Sequence, residues 1–186
     1  MRARQITAPV IEPVSLDEAK NQLRVDGTDE NPHIAALIWS VRVEAEMVSR
    51  RAFLAQTWDL TLDAWPRASV IELPYPPLQS VTSITYIDSD NGTHTMSTDD
   101  YFVDIDGEPG RVCLAYGAAW PSGTLRPQAA IKIRFVAGWS TPSQVPANYR
   151  LAILLGLSAY YENRGDAEMK LPGAAIDLLT IDRGGW

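Results

Sequence analysis

The sequence predicts an α+β protein: a helical bundle of two N-terminal helices and a C-terminal central helix, interrupted by an inserted antiparallel β domain. Three observations carry this. From Ile34 to Ala52 apolar residues recur at three and four, the period of a buried helical stripe. From Thr57 to Val136 they alternate, the period of half-buried strands. From Val145 to Gly165 the helical pattern returns. Helices, then a block of strands, then helices is an α+β order, not an alternating α/β one.

In SLDEAKNQLR, Ser15 and Glu18 have the spacing of a capping box, which predicts a short first helix to about Arg24. VDGTDEN is a polar turn, after which Asn31 and Pro32 supply a favoured cap and first-turn residue for a second helix to about Arg51. Its stripe is Ile34, Leu37, Ile38, Val41, Ala45, Val48 and Ala52. Arg50 and Arg51 fall in the expected last turn, where cations suit the exposed carbonyls, so a helix terminus is favoured over an anion site.

Trp58, Leu60, Leu62 and Ala64 alternate with polar residues and predict the first strand of the insertion. Ser69 to Leu73 is a second strand, and the loop PYPPLQ is too rich in proline to join a central ladder. Val81 to Asp88 reads as a third, closed by the hairpin turn Asn91-Gly92. Tyr101 to Ile105 pairs with Arg111 to Leu114 around DGEPG. In the last strand Ile131, Ile133 and Phe135 alternate against Lys132 and Arg134.

The helix in VPANYRLAILLGLSAYYENRG is apolar on more than one side. Leu151, Leu154, Leu155 and Ser158 share one face, while Ile153, Leu157 and Tyr160 point elsewhere. It is either a central helix of its own fold or one shared with a partner subunit. The run from Leu151 to Tyr161 is far shorter than the roughly 20 residues that span a bilayer. Beyond it, Ala174 to Ile181 predicts a short weak helix before DRGGW. The terminal Trp186 reads equally as a frayed end or as an anchor for a partner's pocket.

The domains expected on this basis are an N-terminal arm over 1–13, a helical core over 14–56 and 139–165, the β insertion over 57–138, and a C-terminal tail over 166–186. The 186 residues fit one domain carrying a large insertion, enough to bury a core. A net charge of −7 argues against a surface built to grip nucleic acid, which needs excess Lys and Arg. The single cysteine, Cys113, rules out an intrachain disulfide and reads as a small buried apolar residue. MRARQITAPVIEP has no apolar stretch long enough for a secretion signal, which predicts an unexported protein with a flexible or partner-seeking arm.

Chemical motifs are sparse. His33, His94 and one cysteine do not make a zinc set, and Asp104-Ile105-Asp106-Gly107 fits a hairpin turn better than a calcium loop. Phosphate-binding glycine loops and G-x-S-x-G elbows are absent from the sequence. Nothing fixes the separation of Asp99, Asp100 and Glu108 as a glycosidase pair. No cofactor, metal or catalytic residue is therefore expected. Of six tryptophans, Trp39, Trp58 and Trp139 are expected in the core, while Trp65, Trp120 and Trp186 beside Pro or Gly are those a partner would touch.

Several phrases carry a resemblance: VSLDEAKNQLRVD, SRRAFLAQTWDLTLDAWP, IELPYPPLQSVTSITYID, IKIRFVAGW, and VPANYRLAILLGLSAYYENR followed by LP. From Val14 to Leu179 the chain resembles the head-tail connector (adaptor or head-completion) proteins of long-tailed bacteriophages and phage-like gene transfer particles, in particular the longer members with a β insertion. The resemblance implies a non-enzymatic structural virion protein, assembled in the bacterial cytoplasm. It implies a homo-oligomeric ring, usually a dodecamer, beneath the portal. Such a ring extends the DNA channel, lets DNA pass without specific binding, and presents a platform for the next tail-completion or stopper protein, with no membrane partner.

By position the resemblance places the C-terminal segment at the portal, with Leu171, Ile176, Leu178, Leu179 and Trp186 as the apolar groups that would insert. Trp65, Tyr75 in the proline loop, and Trp120 are candidates for contact with neighbouring subunits or the next tail component. Ile153, Leu157 and Tyr160 are candidates for the subunit interface, because a closed ring needs two different complementary patches on each copy. The competing readings are a monomeric ligand- or carbohydrate-binding module carried on helices, a carboxylate hydrolase using Asp104 and Asp106, and a DNA-packaging accessory protein.

Overall fold

The computed structural model describes residues 1–163 and 170–181 and has the α+β class the sequence predicts, with four helices and two antiparallel sheets among those residues. The chain divides into two compact units, both discontinuous in sequence. One comprises Met1–Pro9 and Ala55–Gly138, the other Val10–Leu54 and Trp139–Trp186.

The first unit contains the sheets. Its strands are β1 (Arg2–Thr7), β2 (Gln56–Leu62), β3 (Val70–Glu72), β4 (Leu78–Ile87), β5 (Thr93–Thr95), β6 (Tyr101–Asp104), β7 (Arg111–Leu114) and β8 (Ile131–Ala137). Five form one sheet in the order β1-β2-β8-β4-β5, and three form another in the order β3-β7-β6. On β8 the alternation is as read from sequence: Ile131, Ile133, Phe135 and Ala137 are buried while Lys132 is exposed. They pack with Leu60 and Ile84 from the strands on either side, burying one face of the sheet.

Two expectations for this unit are corrected. Residues 2–7, expected within a flexible arm, pair with β2 from Arg2↔Thr61 to Thr7↔Thr57 as an edge strand. RARQIT carries no apolar alternation, and its backbone pairing is what holds it, so side-chain periodicity missed it. The strand after the proline loop begins at Leu78 rather than Val81, with register shifts between Leu78 and Ser80 and between Val81 and Ser83. Those bulges let a strand leave the proline loop and still enter the ladder. Gly110, which precedes β7, lies so close to Leu78 that a Cβ there would sit 2.4 Å from the Leu78 Cβ.

The second unit is helical: α1 (Leu16–Leu23), α2 (Asn31–Ser49), α3 (Ala147–Glu162) and α4 (Gly173–Thr180). The predicted capping box is present at α1, where the Ser15 Oγ accepts from the Glu18 N–H and Glu18 Oε2 accepts from the Ser15 N–H. In α2 the Ile34 N–H reaches the Glu30 carbonyl, so the helix starts one residue early and Asn31 is its first residue instead of its cap. It ends at Ser49, because Arg50 takes the left-handed conformation at φ 56°, which places both arginines beyond the last turn. Pro146 is the N-cap of α3, its carbonyl accepting from the Arg150 N–H at 3.2 Å. The core gathers Ile34, Leu37, Ile38, Val41 and Ala45 of α2 with Tyr149, Ala152, Ile153, Leu157 and Tyr160 of α3 and Ala175 and Leu179 of α4.

Candidate interaction surfaces

In the helical unit, Arg42, Glu44, Glu46 and Tyr160 form polar contacts at the edge of the core. Arg42, almost wholly buried, donates from Nε to Glu12 at 2.7 Å and from Nη1 to Glu46 at 2.7 Å. Glu46 also accepts from the Phe53 N–H at 2.8 Å, fixing the chain just after α2. Glu44 accepts from the Tyr160 hydroxyl and from the Leu171 N–H at 3.3 Å. Burial, then the hydrogen bond to Glu44, pushes the Tyr160 phenol above its ordinary range, so it stays a neutral donor.

These contacts decide the fate of several candidate residues. Ile153, Leu157 and Tyr160, expected at a subunit interface, are buried in this chain's own core. Their periodicity was legible, but a second apolar face does not say which of the two faces is covered from within. Leu171 and Leu179, expected to insert into a portal, are likewise buried here, and Leu178 is half-buried against the same core. Of that set Ile176 is exposed, and Trp186 lies outside the described residues.

A surface that sequence reasoning missed runs along α2. Trp39, expected in the core, is 54% exposed and Met47 is 72% exposed. With Pro32, Ala36 and the half-buried Val43 they form an uncharged stripe on the side away from the core. The spacing 32, 36, 39, 43, 47 was readable as a second helical period. The inner stripe alone accounts for a helix here, so the second period adds nothing to the secondary-structure reading.

In the sheet unit, Trp65 and Trp120 stack with centroids 5.0 Å apart and planes 5° apart. The Trp120 Nε1 donates to the Ala68 carbonyl at 2.8 Å. Trp65 also meets Tyr86 edge-on, Tyr86 stacks on His94, and the His94 Nε2 lies 2.6 Å from Asp88 Oδ2. The bond to His94, followed by the Gly92 N–H, holds the Asp88 carboxyl below its ordinary value. Tyr75 stacks on Trp58 at 4.2 Å. Trp58 is half-buried, whereas the sequence reading had it in the core. Trp65, Tyr75 and Trp120 are thus half-buried, each stacked on another ring, rather than projecting singly. Cys113 is also half-buried, and burial raises its thiol above the ordinary value.

Asp59 of β2 is held bidentate by Arg134 of the neighbouring β8, with Nε at 2.8 Å and Nη2 at 2.9 Å. That bond lowers the Asp59 pKa against the opposing effect of burial. Among the described residues no three His, Cys, Asp or Glu side chains come together to hold a metal ion, and no helix is long and apolar enough to cross a membrane. What the geometry presents is surface for packing: an apolar helix stripe and a supported aromatic cluster.

No protein-family model matches the chain, and no curated protein matches it. Solved structures do. A chain in "Virion of native gene transfer agent (GTA) particle" aligns over 96% of this chain and 93% of its own, with TM-score 0.78 and 21% identity. A chain in "Neck of empty GTA particle computed with C6 symmetry" gives the same coverage, TM-score 0.78 and 20% identity. One in "Neck of native GTA particle computed with C12 symmetry" gives TM-score 0.70 and 22% identity. This chain therefore has, over nearly its whole length, a fold found in the virion and neck of gene transfer particles.

Proposed function

We propose that the chain is a structural component of the neck of a phage-like particle: a head-tail connector that closes into a ring beneath the portal, extends the DNA channel and joins capsid to tail. The observation that carries this is the fold likeness at TM-score 0.78 across 96% of this chain and 93% of the matched chain, which leaves little of either fold unaccounted for. The symmetries named for the matched neck structures favour a cyclic assembly, with twelve copies as the working number. The net charge of −7 suits a channel wall that DNA passes without being held. The role is non-enzymatic, with the portal on one side and a tail-completion protein on the other.

The portal contact falls to the exposed part of the C-terminal segment, with Ile176 and Ile181 as its apolar groups. Trp65, Tyr75 and Trp120 are assigned to the tail side or to neighbouring subunits.

Electron microscopy of the purified protein, alone and mixed with the portal from the same genome, tests the reading. A ring stacked on the portal is expected. Because Ala175 and Leu179 belong to the core, the portal contact is probed by the surface pair Ile176→Asp and Ile181→Asp rather than by truncation. Loss of docking with the ring intact is expected of that pair. A protein that stays monomeric and ignores the portal would overturn the connector role.

A further inference from the structure

The outer face of α2 is unusual for a helix at a protein surface. From Pro32 to Met47 it presents Pro32, Ala36, Trp39, Ser40, Val43 and Met47, with no charged residue among them. The Ser40 hydroxyl donates back to the Ala36 carbonyl at 2.9 Å, so its proton is used within the helix. At 1.5 Å per residue the stripe is about 22 Å long. An outward helix face of this kind is ordinarily polar, and a contiguous apolar stretch marks a contact surface.

The partner is constrained by charge. The helix holds no lysine and one arginine, Arg42, which is buried against Glu12 and Glu46. Nucleic acid and anionic lipid both require several basic side chains around such a stripe; α2 exposes no Lys or Arg along its length, and only Arg50 at its C-terminal end is exposed. A protein surface of low charge is the occupant that fits.

The same unit exposes apolar surface on a second side, at α3. α2 and α3 touch at Val41 and Gly156. Residues two apart on a helix lie about 160° apart around its axis, so Trp39 and Val43 point directly away from that contact. On α3, Leu154 and Ser158 point away from it in the opposite direction, and Ser158 is covered by Gln22 of α1. Beside them Leu151 is 48% exposed, and Leu155 is half-buried, packed on one side against the core. The helical unit thus exposes apolar side chains on two opposed sides, the α2 stripe and Leu151 of α3, and a repeated head-to-tail contact needs two such different patches.

We infer that the α2 stripe of one copy packs onto the Leu151–Leu155 face of α3 in the next copy, forming the repeating contact of the ring; this rests on the ring proposed above. The footprint of one such stripe, roughly 20 Å by 10 Å, is well below the ~800 Å² per partner of a stable pair. An isolated pair is therefore weak, and closure, which holds every copy on both sides, stabilises the assembly.

Crosslinking tests the contact. Met47→Cys and Leu151→Cys are made singly and together in a Cys113→Ser background, in the assembly formed alone or on the portal. A short thiol crosslinker is expected to give a ladder of multimers with the double variant, dimers with the two single variants mixed, and monomers with either alone. Trp39→Asp, at an exposed position, is expected to keep the helical circular dichroism and weaken assembly roughly tenfold or more. Dimers from Met47→Cys alone would show a two-fold contact and overturn the inference. Rings formed by Trp39→Asp as readily as by wild type would overturn it while leaving the connector intact. A wild-type protein that forms no ring in either setting would overturn both.

Discussion

Gly156 and Val41 meet with no room between their helices: a Cβ on Gly156 would lie 2.8 Å from the Val41 Cγ1 and 2.5 Å from the Leu171 Cδ2. Leu171 can swing its terminal methyl aside, but Val41 is fully buried on α2 and its branched side chain has nowhere to turn. An exposed helical glycine gains about 1 kcal/mol when replaced by alanine. Gly156→Ala is expected to reverse that sign and lower stability by about 1–3 kcal/mol through overpacking. A urea midpoint below wild type checks it, and a midpoint above would mean that α2 and α3 separate at little cost.

Arg42 joins the segment before α1 to α2 through Glu12 and Glu46. Arg42→Ala leaves two carboxylates without their cation and is expected to cost about 3 kcal/mol or more. Glu12→Ala keeps the Glu46 half of the network and is expected to cost about half as much. Chemical denaturation of both variants measures the difference; equal costs would show that Glu12 carries the network.

The Asp59 to Arg134 pair makes stability depend on acid. The folded-state pKa of Asp59 lies below the ordinary 3.8, so its contribution is fully present above that value and is lost as pH falls through the folded pKa. Asp59→Asn is expected to flatten the fall in stability below about pH 4. Melting temperatures between pH 2 and pH 6 read this out, and a slope unchanged in the variant would assign the acid sensitivity to other carboxylates.

Stacked indoles couple optically. Trp120→Ala is expected to remove a near-ultraviolet circular dichroism band and to lower stability by about 1–2 kcal/mol, the sum of a stacked pair and the hydrogen bond to Ala68. Trp65→Ala should remove the same band. A spectrum indifferent to both substitutions would mean that the stack does not persist in solution.

The sequence was most informative where one period dominates. Ile131, Ile133 and Phe135 against Lys132 and Arg134 defined β8, and Ser15 with Glu18 defined the start of α1 down to its two hydrogen bonds. It was least informative where a pattern has two meanings. Helices α2 and α3 each carry two apolar faces, and periodicity alone cannot tell which one its own chain covers. Trp39, expected inward, is exposed, and Ile153, expected at an interface, is buried. β1 was illegible for another reason, since an edge strand held by backbone bonds needs no alternation in its side chains. The ion pair of Asp59 with Arg134 joins residues far apart in sequence, and only the β2 to β8 register brings them together.

That register also bears on how the chain assembles as it is made. Residues 55–138 separate the two stretches of the helical unit, and closing a loop of that length would by its length dependence alone cost about 4 kcal/mol. Yet the first and last strands of the inserted stretch are neighbours, with Gln56 opposite Ala137, and Leu54 bridges to Trp139 just outside them. Once β2 and β8 zip together, the distant halves are already side by side, and the closure cost has been met within the sheet. The order of events during synthesis follows. β1, α1 and α2 emerge first, the sheet can be completed only once β8 has left the ribosome, and α3 follows β8 in the chain.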